Sequence, residues 1–297
     1  MKSGFVAIIG RPNAGKSTLL NTLLDEKIAI TSPKSQTTRN AILGIYNDDD
    51  YQIVFIDTPG IHEAKTGLGS FMNKEAYSQA HGVDVIYYII DGTKGIQSED
   101  IKILDRIFSY EVPVFLLINK IDDMSSNLLI ERLNYANKNY QFSELIPISA
   151  LNKDNINELL DTTKKYLKDE VVYYPNDMKT NRSIDFKIAE IIREKVIMNI
   201  DEEVPHLIAC YIDEIKERTS KVFIQATIIC NKDTHKGIII GKNGRMLKRI
   251  NEQASSDIAK LYNKKILLSL FVKVENDWFN SEKRLFNLGY FLGDDNE

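Results

Sequence analysis

Residues 10–17 read Gly-Arg-Pro-Asn-Ala-Gly-Lys-Ser, directly after the apolar run Phe5-Val6-Ala7-Ile8-Ile9 and at the opening of a helical pattern. A strand that feeds a glycine-rich turn into a helix makes a concave nest. Backbone N–H groups point into it and the positive end of the helix dipole adds to them. Phosphate is the group such a nest holds, with Lys16 as a point charge on the β/γ-phosphates and the Ser17 hydroxyl offered to Mg²⁺.

The remaining sequence has to supply a fold around that loop. At 297 residues the chain exceeds one ordinary domain, so a larger and a smaller core are expected. Apolar residues at 43% and charged residues at 27% describe a globular chain and exclude a disordered one. The longest apolar runs, Val85 to Ile90 and Val114 to Ile118, are strand-sized and far below the ~18 residues of a membrane span. Met1-Lys2-Ser3 leads into the phosphate loop and not into a signal peptide, so a cytoplasmic protein is expected. Cys230 falls on the same side of an alternating strand as Val222, Ile224, Ala226 and Ile228, which predicts a reduced core thiol. The net charge of −4 arises in the front half; Lys236 to Arg249 carries five basic residues and no acidic one.

Strand-like runs at Phe5 to Ile9, Ala41 to Tyr46, Gln52 to Ile56, Val83 to Ile90, Val112 to Ile118 and Leu145 to Ile148 alternate with helical patterns after Lys16, Ser98, Ser126 and Asn155. That alternation predicts an α/β doubly wound sheet over residues 1–170. Apolar periodicity breaks from Asp169 to Asn181, placing a linker at 171–182. From 183 to 297 a helix at Ile184 to Met198 precedes strands at Leu207 to Ile212 and Val222 to Cys230. A helix from Arg245 to Leu261 and a strand at Ile266 to Val274 follow, which predicts a smaller α+β domain. Asp48-Asp49-Asp50 reads as a solvated hairpin turn.

Three further motifs stand where a nucleotide site would need them. Asp57-Thr58-Pro59-Gly60 follows a strand and places a carboxylate near the metal, with the Gly60 N–H close to a γ-phosphate. Asn119-Lys120-Ile121-Asp122 ends another strand, at the edge where open α/β sheets bind ligands. The Asp122 carboxylate can accept from N1–H and the 2-amino group of guanine, donors that adenine lacks. Ser149-Ala150-Leu151 would add backbone contacts to the base. Ile61 follows Gly60 where a water-orienting glutamine would stand, and Pro12 crowds the space an inserted arginine would need, so slow intrinsic hydrolysis is expected. His62 reads as a solvated loop residue; His81, His206 and His235 show no metal-ligand spacing.

In this order the four motifs resemble the translation-factor-related GTPases, and Gln36-Thr37-Thr38-Arg39 narrows the resemblance to the bacterial group containing Era and MnmE. The resemblance implies nucleotide contacts from Gly10, Asn13, Ala14, Gly15, Lys16, Ser17, Thr18, Asp57, Thr58, Pro59, Gly60, Asn119, Lys120, Asp122, Ser149 and Ala150. It implies catalytic roles for Lys16, Thr38 and Gly60, and Mg²⁺ held by Ser17, Asp57 and a switch-loop threonine. Thr37 and Thr38 are both candidates, with Thr38 favoured. It also implies a K⁺ ion beside Asn13 that supplies positive charge to the reaction.

Gly241-Lys242-Asn243-Gly244 is a GxxG, a pattern that also occurs at Gly92-Thr93-Lys94-Gly95, so its setting carries the weight. Apolar Ile238-Ile239-Ile240 precede it, a basic helix follows, and two strands lie upstream; this resembles a KH domain, whose GxxG loop clamps a single-stranded nucleic-acid backbone. Gly241, Lys242, Asn243 and Gly244 of the loop, with Arg245, Lys248 and Arg249 beside it, are the expected RNA-binding residues. Ile238 to Ile240 are expected beneath bases or in the core, and Trp278 either stacks on a base or packs.

Similarity to the Era family extends over nearly the whole chain, including Ala189-Glu190-Ile191-Ile192-Arg193-Glu194-Lys195 and Phe271-Val272-Lys273-Val274 with Trp278 and Leu288-Gly289-Tyr290; the tail Leu288-Gly289-Tyr290-Phe291-Leu292 holds no cysteine that would support a tRNA-modifying GTPase. It implies a GTP/GDP switch, acting as a monomer, that binds the 3′ end of small-subunit (16S) rRNA and assists 30S ribosomal subunit assembly. It leaves room for peripheral association with the inner face of the membrane. The competing readings are a GTPase acting on tRNA or at the membrane surface, and a nucleotide-gated RNA-binding scaffold with negligible turnover.

Overall fold

The computed structural model describes residues 1–34, 37–201 and 204–290; Gln36 of the switch-loop motif and the Phe291-Leu292 tail lie outside the described residues. Contacts divide the chain into two compact units, one of residues 1–65 and 69–181, the other of 66–68 and from Arg182 onward.

In the first unit β1 (Lys2–Ile9), α1 (Lys16–Leu24), β2 (Ile42–Asn47), β3 (Tyr51–Asp57), α2 (Gly67–Ser78), β4 (Val85–Asp91), α3 (Ser98–Phe108), β5 (Val114–Asn119), α4 (Ser126–Asn139), β6 (Glu144–Pro147) and α5 (Ile156–Lys164) follow one another. The six strands lie in the order β2-β3-β1-β4-β5-β6, all parallel except β2. Parallel strands covered on both faces bury continuous apolar runs, and Val6 to Ile9, Val85 to Ile89 and Phe115 to Ile118 are wholly buried or nearly so. Strand β1 lies between β3 on one side and β4 on the other, where the order of the strands along the chain reverses. The loop after β1 therefore opens at the crevice where such sheets bind ligands.

Local chemistry sets the ends of these elements. Asp48 Oδ1 accepts from the backbone N–H of Asp50 and Tyr51 and closes the β2–β3 hairpin. Gln97 and Asp100 form a reciprocal capping box at the start of α3, and Ser125 caps α4. Sequence periodicity did not predict α2, although Leu68, Phe71, Met72 and Ala76 make its buried stripe, because Gly67 and Gly69 break the helical signal in its first turn.

The expected linker does not hang free of the first unit. Ser3 donates its N–H to the Asp169 carbonyl at 2.8 Å and Ile45 donates to Lys179 at 2.9 Å. Between them the wholly buried Gln52 side chain accepts from Tyr173 N and Tyr174 N at 2.8 and 3.0 Å and donates to the Tyr174 carbonyl at 2.8 Å. Residues 169–179 are thus strapped against β1, β2 and β3.

The second unit contains α6 (Ile184–Asn199), β7 (Ile208–Glu217), β8 (Lys221–Cys230), α7 (Asp233–Ile240), α8 (Arg245–Tyr262), β9 (Lys265–Val274) and α9 (Glu282–Asn287). Its sheet runs β7-β8-β9, antiparallel then parallel. Val222, Ile224, Ala226, Ile228 and Cys230 pack one face against Ile188, Ile192 and Val196 of α6 and Ile250, Ala254 and Ile258 of α8. Cys230 is a buried free thiol, with Ile208 and not Cys210 as its cross-strand neighbour. Strand β7 continues past the expected end at Ile212 because a bulge between Ile212 and Glu214 shifts the alternation. Trp278 packs: it is 1% exposed and donates Nε1–H to the Leu207 carbonyl.

Two tests follow from this packing. Gln52→Leu leaves the amides of Tyr173 and Tyr174 without their acceptor, at a cost of about 1–3 kcal/mol in the stability of the first unit. Urea unfolding should show that loss, together with faster amide exchange at 173–174; unchanged exchange there would contradict the strap. In the second unit burial pushes the Asp257 carboxyl up, but hydrogen bonds from Lys195 and Lys260 outweigh it and hold the pKa at about 2, below the ordinary 3.8. A depressed folded value stabilises above the unfolded pKa and is lost as pH falls through the folded one. Asp257→Asn should therefore lower the melting temperature at neutral pH and leave it near that of the parent at about pH 2.

Candidate functional site

The loop after β1 brings the predicted phosphate residues together. Lys16, 5% exposed, lies across the mouth of the loop and donates Nζ–H to the carbonyls of Gly10 and Arg11 at 3.0 and 2.9 Å. Gly15 sits at φ +104°, and a Cβ there would come within 2.1 Å of Asn119 Nδ2, so glycine is needed both for the turn and for the close approach. Ala14 is buried, Thr18 half-buried, and Asn13 exposed at φ 63°, its Nδ2 donating to the Pro33 carbonyl at 3.0 Å.

Three oxygens from three segments converge beside Lys16. The Ser17 hydroxyl donates to Asp57 Oδ2 at 2.6 Å and lies 2.6 Å from Thr38 Oγ1. Thr37 instead donates its hydroxyl to the Lys34 carbonyl, so of the two threonines Thr38 is the one beside Ser17. Asp57 is wholly buried, and its Oδ1 has no hydrogen-bond partner among the described residues. Burial pushes the Asp57 pKa up to about 6 against the pull of Ser17, Lys16 and Thr38, and burial lowers Lys16 to about 8 against the pull of Asp57. Both shifts run against the charged forms; a cation beside Asp57 and a phosphate beside Lys16 would reverse them. An all-oxygen donor set of two hydroxyls and one carboxylate suits a small hard cation such as Mg²⁺.

Thr58 and Pro59 are buried, and Thr58 spends its hydroxyl on the Ile8 carbonyl at 2.7 Å, anchoring the loop to β1. Gly60 abuts Pro12, where a Cβ would meet backbone at 2.8 Å, and the Ile61 N–H donates to Gly10. Ile61 is buried, and its apolar side chain offers no group to orient a water. His62 is half-buried and not a solvated loop residue: its ring Nδ1 bonds the Gly60 carbonyl at 2.9 Å, and Asn73 brackets its backbone on both sides.

At the base end, Asn119 donates Nδ2–H to the Ala14 carbonyl at 2.8 Å and accepts from Ala150 N at 2.9 Å. The Ala150 carbonyl in turn accepts from Thr22 of α1, and the buried Ser149 hydroxyl accepts from Asn152 N. Lys120, at φ 66°, bonds Asp91, a residue that motif reading missed. Asp122 is exposed and its carboxylate has no protein hydrogen bond among the described residues, leaving it available to a base.

In the second unit Gly241, Asn243 and Gly244 take φ of +71°, +54° and +74° between α7 and α8. A Cβ on Gly241 would meet Met246 Cβ at 2.6 Å. Lys242, Asn243, Arg245, Lys248 and Arg249 are all exposed; Lys248 alone among the four cations makes an ion pair, a long one to Glu252 at 3.9 Å, among the described residues. Helix α7 is not among the expected helices: its three consecutive isoleucines follow Gly237 and give no helical periodicity. Ile239 is core while Ile238 is 45% exposed, so the expectation for Ile238 to Ile240 divides between them. A cavity of about 470 Å³ lined by Asn251 and Ser255 of α8 and by Ile266 to Ser269 of β9 was also invisible to motif reading.

A P-loop nucleotide-binding domain joined to a KH-like domain is the class that this fold and these sites define. Residues 5–120 match a family described as 50S ribosome-binding GTPase, and residues 203–279 match the KH domain family. The GTPase Era of Clostridium kluyveri is 45% identical over 98% of this chain and 99% of its own length; that of Alkaliphilus metalliredigens is 46% identical over 97% and 99%. A solved structure of Era in complex with MgGDPNP and nucleotides 1506–1542 of 16S ribosomal RNA superposes with a TM-score of 0.96 at 40% identity, covering 98% of this chain and all of that one. Aquifex aeolicus Era, as a substituted variant bound to GDP and AlF4⁻, gives 0.95 at 40% identity over the same shares. The chain belongs to the Era family of GTPases.

Ser17→Ala removes one oxygen of the converging set and leaves the phosphate nest intact. GDP affinity should fall about tenfold in Mg²⁺ buffer and stay unchanged in EDTA. An equal loss in both buffers would contradict the assignment of Ser17 to the cation.

Proposed function

We propose that this chain is a GTP-driven switch that binds the 3′ end of 16S rRNA through its GxxG loop and assists 30S subunit assembly. The observation that carries this reading is one chain holding both the four-segment nucleotide pocket and an exposed basic loop free of acidic residues. Its support is the full-length likeness to Era in complex with MgGDPNP and that RNA. In this reading residues 1–170 are the GTPase domain, 171–182 the linker and 183–297 the RNA-binding domain. The protein acts as a monomer in the cytoplasm; no helix among the described residues is long and apolar enough to cross a membrane, and association with the inner membrane face would be peripheral.

Hydrolysis proceeds by in-line attack of water on the γ-phosphate, with Lys16 and the N–H groups of the loop and of Gly60 stabilising charge on the equatorial oxygens. Ser17, Thr38 and Asp57 would hold Mg²⁺, which when bound neutralises charge developing on the phosphates. Closure of Thr38 onto the site is the step that reports the γ-phosphate. Because Ile61 has no polar group with which to orient the attacking water, intrinsic turnover is slow. Asn13 keeps its Oδ1 for K⁺ while its Nδ2 is bound to Pro33.

Crosslinking the protein to cellular RNA and sequencing the fragments should enrich the 3′ end of 16S rRNA; enrichment of tRNA would overturn the substrate. With that RNA in vitro, Lys242→Ala or Arg249→Ala should weaken binding and reduce the salt slope by about 1 each. Turnover should be faster in KCl than in NaCl, and the difference should vanish in Asn13→Ala; equal turnover in the two salts would remove the K⁺ site.

A further inference from the structure

Strand β4 ends in Asp91-Gly92-Thr93-Lys94-Gly95, a second GxxG that no phosphate or base motif accounts for. It lies beside the guanine-reading loop because β4 pairs in parallel with β5 and sets Asp91 level with Asn119. Two bonds then join the loops. Gly92 donates its N–H to the Asn119 carbonyl at 2.8 Å, and Asp91 Oδ2 accepts from Lys120 Nζ at 2.7 Å. The first approach is so close that a Cβ on Gly92 would lie 2.8 Å from that carbonyl and 2.4 Å from Met124 Sδ.

The Asp91 carboxylate is itself held from its own side. Its Oδ1 accepts from the N–H and the hydroxyl of Thr93 at 3.1 and 2.6 Å, and the backbone turn closes with Lys94 N and Gly95 N on the Asp91 carbonyl. The side chain is 11% exposed against 33% for Lys120, and Lys94 stands further off at 3.7 Å. Burial pushes the carboxyl up, but Lys120 and Thr93 outweigh it and hold its pKa below the ordinary value. A lysine free in solvent loses about 2 kcal/mol of side-chain entropy on being ordered. Here that ordering is done before any nucleotide arrives, and such preorganisation raises affinity by lowering the cost of binding.

We propose that Asp91 is a positioning residue of the nucleotide site, which fixes Lys120 through a buried-side ion pair so that guanine nucleotide meets an ordered lysine. The proposal rests on the reading of Asn119-Lys120-Ile121-Asp122 as the base site. Asp91 touches Lys120 and not the reacting atoms, and its effect belongs to retention of nucleotide and not to phosphoryl transfer.

A double-mutant cycle on GDP dissociation from the full-length protein tests this, with the parent, Asp91→Asn, Lys120→Gln and the pair. Asparagine keeps an oxygen for the Thr93 turn and removes only the charge. Dissociation should accelerate about tenfold in Asp91→Asn, as for loss of a charge-assisted hydrogen bond, and less than twofold when the same change is added to Lys120→Gln. A merely structural role in the 91–95 turn would persist in the Lys120→Gln background. Additive effects, or no acceleration in Asp91→Asn while Lys120→Gln accelerates release, would overturn the proposal. If Lys120→Gln itself left dissociation unchanged, the base-site reading would fall first and the proposal with it.

Discussion

Two hydrogen bonds from one buried amide hold the nucleotide pocket in one piece. Asn119 ends β5, yet its Nδ2 reaches the Ala14 carbonyl in the loop after β1 and its Oδ1 takes the N–H of Ala150 after β6. A side-chain amide carries its donor and its acceptor on two separate atoms, so one residue can donate to one strand's loop and accept from another, which an ionised carboxylate, an acceptor only, cannot do. The loop accommodates it through Gly15, whose missing Cβ leaves the space that Asn119 Nδ2 fills. Phosphate binding and base recognition are thereby set in register before a ligand enters, which is what preorganisation means for this pocket.

Around that crosslink the charges are arranged in opposition. Lys16 and Asp57 are both buried and both pushed toward neutrality, the one to about 8 and the other to about 6. Buried charged groups are costly unless paired, and neither is fully satisfied by protein alone. A nucleotide with its cation completes both at once. Thr38 reaches the same point from a loop that precedes the edge strand β2, and β2 in turn carries the strap at residues 169–179 through Ile45 and Asn47. The switch loop and the end of the first unit are therefore neighbours on one strand.

Contiguous chemistry could be read from residues alone. The phosphate loop after Ile9, Asp57 at the end of β3, Asn119 to Asp122 from the end of β5 and the basic residues beside Gly241 all appear where their motifs put them, because each is written in a few adjacent letters. Long-range placements were not legible. Asp91 acts through its β4–β5 register, Gln52 through a strap more than a hundred residues away, and neither leaves a local trace. Periodicity failed at α2 and α7, where glycines interrupt one helix and β-branched residues fill the other. Trp278 and Ile238 show the limit for single apolar residues: their types did not decide between packing and surface, and only burial separates them.

The central claim is that Asp122 reads guanine from a pocket assembled by Asn119. Calorimetry of guanosine and xanthosine diphosphates on the parent and on Asp122→Asn measures this most directly. Guanine offers N1–H and a 2-amino group to the carboxylate, whereas xanthine carries a 2-carbonyl that an asparagine amide can donate to. The account predicts guanine preference in the parent and a reversal toward xanthine in Asp122→Asn; an unchanged preference in the variant would contradict it.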